Sequence, residues 1–183
     1  ANALSMTTKV GLGFGAMIAA GLAFAQAAFA VSPPAIEDAL TFKPVEGKVS
    51  LGYGKINKLV DNGLSPHKGI DIKAARGTPV HASGDGKVLA ATDRYHGKKS
   101  WGNVVVIDHG HGLVTRYAHL KKYVVKKGDY VNAGDIIGAV GATGVASGPH
   151  LHFEVIADGE NIDPTLIAAP TPEPVTNVRA VKK

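Results

Sequence analysis

At 183 residues the chain is long enough for one domain with a real core and too short for two comfortable ones. Cysteine is absent, which excludes disulfides and a lipid-modified N-terminal cysteine and leaves histidine and carboxylate as the materials for any metal site. The net charge of +5 comes without a Lys/Arg cluster interleaved with aromatics, so no nucleic-acid partner is expected and the surplus suits an anionic cell-wall or membrane surface.

The hydrophobic content of 45% is inflated by the N-terminus. Val10–Val31 carries no charge, Lys9 alone stands before it, and the first acidic residue is Glu37. A basic start, an apolar stretch and the small-residue site Ala28-Phe29-Ala30 predict a secretory signal peptide over residues 1–30, cleaved near Ala30. The alternative is an uncleaved anchor, since the run is just long enough to span a bilayer. Four glycines, many alanines and Gln26 make it a weak spanning helix, so no stable span is expected after cleavage. Export follows, with the periplasm as the favoured compartment and secretion or cell-wall association as alternatives.

Residues 31–44, with Ser32-Pro33-Pro34, read as a linker. Residues 45–168 form the predicted domain, and residues 169–183, with Pro170, Pro172 and Pro174, read as a disordered tail. Within the domain, Val104–Ile107 and Leu113–Tyr117 are β-branched runs around the turn-rich Asp108–Gly112, which predicts a hairpin. Val124-Val125 and Val131 flank Lys127-Gly128-Asp129, a second predicted tight turn. No segment after residue 45 has long helical spacing of apolar residues. The expected fold class is all-β, a compact barrel-like or sandwich domain of short, mostly antiparallel strands. Val125–Asp135 is similar to the hairpin of biotinyl and lipoyl carrier domains, but the turn after Val140 lacks the modifiable lysine, so a carrier role is not expected.

Three segments carry chemistry. In His67-Lys68-Gly69-Ile70-Asp71 the glycine and the β-branched residues favour a strand, which puts His67, Gly69 and Asp71 on one face. In His150-Leu151-His152-Phe153-Glu154-Val155 the alternation is clean, with His150, His152 and Glu154 opposite an apolar face. In Thr115–Leu120, His119 is expected to share a face with Thr115 and Tyr117 at a strand end. Each has an ordinary explanation by itself; together they supply three ligands, an open position for water and further histidines for proton handling. His150 and His152 lie about 6.6 Å apart along a strand. A hydrolytic site needs one of them to stand back from the ion, and spacing does not choose which. His109 and His111 share that two-residue spacing but sit in the hairpin loop among glycines, and are expected not to bind metal; His81 and His96 are expected to be solvated or structural.

From about Gly47 to Pro164 the sequence resembles the lysostaphin-type, LytM-like zinc endopeptidases of bacterial cell walls. The resemblance rests on Gly77-Thr78-Pro79-Val80, Gly86-Lys87-Val88, Gly102-Asn103-Val104, Asp108-His109-Gly110, Tyr117-Ala118-His119-Leu120, Gly141-Ala142-Thr143-Gly144 and Gly148–Glu154. It implies one zinc ion held by His67, Asp71 and His152, with His119 and His150 assisting the activated water and the tetrahedral intermediate. It also implies hydrolysis of peptide bonds in peptidoglycan stem or cross-bridge peptides, and leaves room for a regulatory partner in the envelope. Two departures concern substrate positioning: Lys55–Pro66 lacks the tyrosine that some relatives carry, and Lys55 follows Tyr53-Gly54 where arginine is frequent. The alternative of a different class is a non-catalytic wall-binding regulator of the same fold, but such relatives lose ligands and all five positions are filled here.

Overall fold

A computed structural model describes residues 36–56 and 65–166. The predicted signal peptide and the predicted tail lie outside the described residues. Among the described residues helix is confined to α1 (Ile36–Ala39) and two 3-10 turns at Tyr95–Gly97 and Pro164–Leu166. The strands are β1 (Lys48–Leu51), β2 (Ile70–Lys73), β3 (Pro79–His81), β4 (Gly86–Thr92), β5 (Asn103–Asp108) and β6 (Leu113–Leu120). They continue with β7 (Lys122–Tyr123), β8 (Tyr130–Val131), β9 (Ile136–Ala139), β10 (His150–Ala157) and β11 (Glu160–Ile162). The all-β expectation holds, and every strand pair is antiparallel. Among the described residues no helix is long and apolar enough to cross a membrane.

The main sheet runs β1-β2-β10-β6-β5-β4-β8, with β11 also pairing β10, and a smaller sheet runs β3-β9-β7. The predicted hairpin is β5 and β6, joined by Asp108–Gly112, where Leu113 N–H donates to the Gly110 carbonyl at 2.9 Å. Strand alternation explains the burial: Leu151, Phe153 and Val155 of β10 enter the same core as Ile70 and Ile72 of β2 and Tyr117 of β6. The other face of β10 and β2 is left for polar groups. That is the geometric origin of the site.

The segment read as a linker differs from that expectation at its C-terminal end. Leu40 is 2% exposed and belongs to the main core, and Ile36 packs against that core. Phe42 N–H donates to the Ser83 carbonyl at 2.9 Å, and its ring lies 5.3 Å from His81. The prolines at 33 and 34 hid three apolar residues, Ile36, Leu40 and Phe42, too irregularly spaced to register as an element.

Candidate metal centre and active site

β2 and β10 pair so that Asp71 lies directly opposite His152. Their side chains meet on the polar face, with His152 Nδ1 2.9 Å from Asp71 Oδ1. His67 arrives from outside the strand. Strand β2 begins only at Ile70, and His67 sits in a bridge against residues 54–56, its N–H donating to the Lys55 carbonyl at 2.9 Å. The expected single strand face for His67, Gly69 and Asp71 is therefore corrected: Gly69 is a crossing point. A Cβ there would fall on the Phe153 carbonyl and 2.8 Å from Glu154 Cγ, so only glycine lets the chain pass this close to β10. His67 Nε2 nevertheless ends 3.2 Å from Asp71 Oδ1 and 3.0 Å from His152 Nδ1.

Three potential ligand atoms thus converge on one point. Ligands at zinc-bond lengths in a tetrahedron stand about 3.3 Å apart. The observed separations of 2.9, 3.0 and 3.2 Å match that triangle closely, and the donor set of two imidazoles and one carboxylate suits such an ion. The far side of each imidazole is tied down: His67 Nδ1 is 3.2 Å from the Gly52 carbonyl, and His152 Nε2 is 3.0 Å from Glu154 Oε1. Each acceptor takes an N–H, so the opposite nitrogen presents its lone pair to the centre.

His150 and His119 flank this triangle. His150 Nε2 is 3.8 Å from Asp71 Oδ1, while its Nδ1 donates to the Gly148 carbonyl at 2.8 Å. His119 Nδ1 donates to the Thr143 carbonyl at 2.8 Å, and its ring lies 4.9 Å from that of His150 and 5.9 Å from that of His152. The expected face of His119 is wrong. Asn103 pairs Leu120 while Val105 pairs Tyr117, so Ala118 and His119 together oppose Val104 in a bulge. With φ of 59°, His119 is turned off the core face of Thr115 and Tyr117 and towards His150.

The electrostatics separate these groups. Burial opposes ionisation of Asp71, but hydrogen bonds from His152 and His67 outweigh it and hold its carboxyl well below the usual range. Burial disfavours charge on His152, yet the carboxylates of Asp71 and Glu154 prevail and raise it to about 8. His119 is pushed down to about 4, first by burial and then by its histidine neighbours, against the pull of the Thr143 carbonyl. It is neutral at any ordinary pH.

A cleft of about 260 Å³ opens over these residues, walled by Pro66, Trp101 and Val145. Its rim is held by hydrogen bonds to backbone and to a threonine side chain: Val145 N–H donates to the Ser100 carbonyl at 2.8 Å and Asn103 N–H to Thr143 Oγ1 at 2.9 Å. Sequence reading placed Glu154 on the face of His150 and His152 without giving it a role, and missed Trp101, Arg116 and Asn161 as parts of this site. Trp101 lies 5.5 Å from the His152 ring, and Arg116 pairs Glu154 at 2.6 Å beneath it. The His-x-His-x-Glu alternation was the available signal for Glu154; Arg116 and Asn161 had none in sequence. His109 bridges the Asp85 carbonyl and Thr115 Oγ1 at 2.7 Å each. His81 bonds the Gly134 carbonyl at 2.8 Å, and His96 packs on Tyr95.

Residues 65–164 match the model of Peptidase family M23, a span that contains all five candidate residues. The chain belongs to that family. Among its relatives, the peptidoglycan DD-endopeptidase ShyA of Vibrio cholerae is 45% identical over 100 residues, covering 55% of this chain and 22% of that protein. Among solved structures, a zinc-containing peptidase from Vibrio cholerae superposes with a TM-score of 0.60 and 37% identity over 68% of this chain and 39% of that one. The catalytic domain of lysostaphin from Staphylococcus simulans does so with a TM-score of 0.58 and 36% identity over 66% of this chain and 90% of that domain. The chain spans about a quarter of the length of the curated relatives it matches.

Proposed function

We propose that the chain is a zinc-dependent metalloendopeptidase that hydrolyses peptide bonds in the stem or cross-bridge peptides of bacterial peptidoglycan. The observation that carries this reading is the triangle of His67 Nε2, Asp71 Oδ1 and His152 Nδ1 beneath an open cleft. We assign these three as ligands of one zinc ion and His119 and His150 as the catalytic pair. When bound, zinc would polarise the scissile carbonyl and lower the pKa of a water at its open position.

The protein's own groups do the rest. His119 and His150 both have Nδ1 committed to backbone carbonyls, so Nε2 is the free basic nitrogen of each. His119 is neutral and able to accept a proton from the attacking water, and either histidine can return one to the departing amine. An imidazolium on either side of the cleft also stabilises negative charge on the former carbonyl oxygen. Trp101, Pro66 and Val145 line the cleft in which the bond would lie.

Action outside the cytoplasm follows from a peptidoglycan substrate, with the periplasm as the compartment if residues 1–30 are a signal peptide. Incubation of purified full-length protein with purified sacculi tests the reading. Soluble peptide-cleaved fragments should appear, disappear with a strong chelator and return on addition of zinc. Intact sacculi in the presence of stoichiometric zinc would overturn it.

A further inference from the structure

We propose that Glu154 is the positioning residue on which both histidines of the metal triangle depend, acting on His152 directly and on His67 through Asn161. The inference rests on the metal reading above and goes beyond it, because Glu154 is no ligand and faces away from the triangle.

The two imidazoles come from unrelated pieces of chain. His152 is held by β10, whereas His67 stands in a loop that has not yet entered β2. Something must set their separation, and Glu154 is where the two supports meet. Its side chain is completely buried, and its two oxygens divide the task. Oε1 accepts the His152 Nε2 proton at 3.0 Å, which leaves the Nδ1 lone pair directed at the centre. Oε2 accepts from Asn161 Nδ2 at 3.0 Å. The same Asn161 amide donates to the Lys68 carbonyl at 3.0 Å, one residue beyond His67. The Asn161 backbone is itself fixed by the Tyr53 hydroxyl, which donates to its carbonyl at 2.6 Å. Gly69 completes the junction, because its missing Cβ is what allows the loop to rest on Glu154 Cγ.

A buried carboxylate is costly unless paired. Arg116 supplies the pairing, with Nη1 2.6 Å from Oε2, and its guanidinium lies 4.7 Å from the Tyr95 ring and 4.9 Å from that of Trp101. Its other end donates from Nη2 to the Tyr95 hydroxyl at 3.3 Å. The cation is therefore built into the wall that also carries Trp101 against His152. Glu154 thus accepts three hydrogen bonds: one from a ligand, one from the support of the other ligand, one from the counter-ion.

The test compares wild type with Glu154→Gln and Asn161→Ala, each as the full chain. Zinc affinity is read by competition with a chromophoric chelator, ligand geometry by the visible spectrum of the cobalt(II) form, and fold by melting of the apoprotein. Glu154→Gln should bind zinc about 10–100-fold more weakly, the range typical for lost outer-shell partners. Asn161→Ala keeps the Arg116 ion pair and should still weaken zinc about tenfold and alter the cobalt spectrum, with apoprotein melting close to wild type. If Glu154→Gln fails to fold, Asn161→Ala decides alone. Variants that bind zinc within about twofold of wild type with an unchanged cobalt spectrum would make the cluster ordinary scaffolding and overturn the inference. Wild type that takes up no zinc would overturn the metal reading, and this inference with it.

Discussion

Tyr117 and His119 stand two residues apart on β6 yet leave it on opposite faces. Tyr117 turns into the core, where its hydroxyl accepts the Ser83 N–H at 2.8 Å, and His119 turns into the cleft. The bulge and the left-handed backbone at His119 separate them. Such a conformation costs a residue with a Cβ about 1–2 kcal/mol, and it brings a base to the one place where regular pleating would have put a core side chain.

The strain makes a stability prediction. His119→Ala and His119→Gly should both lose hydrolytic activity by orders of magnitude, since both remove the imidazole. Glycine tolerates the left-handed backbone and alanine does not, so the glycine variant should be the more stable by about 1 kcal/mol. Denaturant melts of the two apoproteins decide it; equal midpoints would mean that the backbone relaxes when the imidazole is gone.

A second prediction divides the strand histidines. His152→Ala should lose zinc and turnover together, because it removes a corner of the triangle. His150→Ala should keep most of the zinc, its Nε2 lying 3.8 Å from Asp71 Oδ1 and outside that triangle, while turnover falls by orders of magnitude. Metal content measured beside activity checks both. A metal-free His150→Ala with a zinc-loaded His152→Ala would reverse the assignment.

Much of this site was legible in the sequence, and the failures have physical causes. Period-two alternation put His150, His152 and Glu154 on one face of β10 because that strand is regular over its whole length. The same rule misplaced His119, since a bulge shifts the register and leaves no mark in residue identity. It also drew His67 into a strand that starts three residues later; Gly69 signalled a special backbone position but not that Phe153 and Glu154 press on it. Arg116 and Asn161 were invisible for a simpler reason. Their importance lies in meeting Glu154, 38 and 7 residues away in sequence, and no local pattern encodes such a meeting.

The seated segment before β1 yields a third prediction. Leu40 is 2% exposed within the main core, so Leu40→Ala should destabilise the domain by about 2–5 kcal/mol, the usual cost of such a truncation. A true linker residue would change stability by less than about 0.5 kcal/mol. Chemical denaturation of the variant against wild type distinguishes the two.

The last prediction concerns pH. In the apoprotein His152 titrates at about 8, above its ordinary 6.5, because Asp71 and Glu154 outweigh the burial that opposes its charge. A raised pKa in the folded state contributes stability that is fully present below 6.5 and is lost as pH rises through about 8. For His152 the contribution is about 2 kcal/mol, so the apoprotein should weaken between those pH values. Zinc binding should run the other way. A protonated imidazole cannot ligate, so an ion entering below pH 8 must displace the His152 proton. With this group alone titrating, apparent zinc affinity should rise about fivefold from pH 7 to 8 and less than about twofold from 8 to 9. Asp71 adds nothing in that range, because it is ionised throughout. Competition titrations across the range give the slope, and calorimetry in buffers of different ionisation enthalpy counts the protons, with about one expected per zinc at pH 7. Affinity that is flat from pH 7 to 8, with no proton released, would mean that His152 is already neutral in the apoprotein.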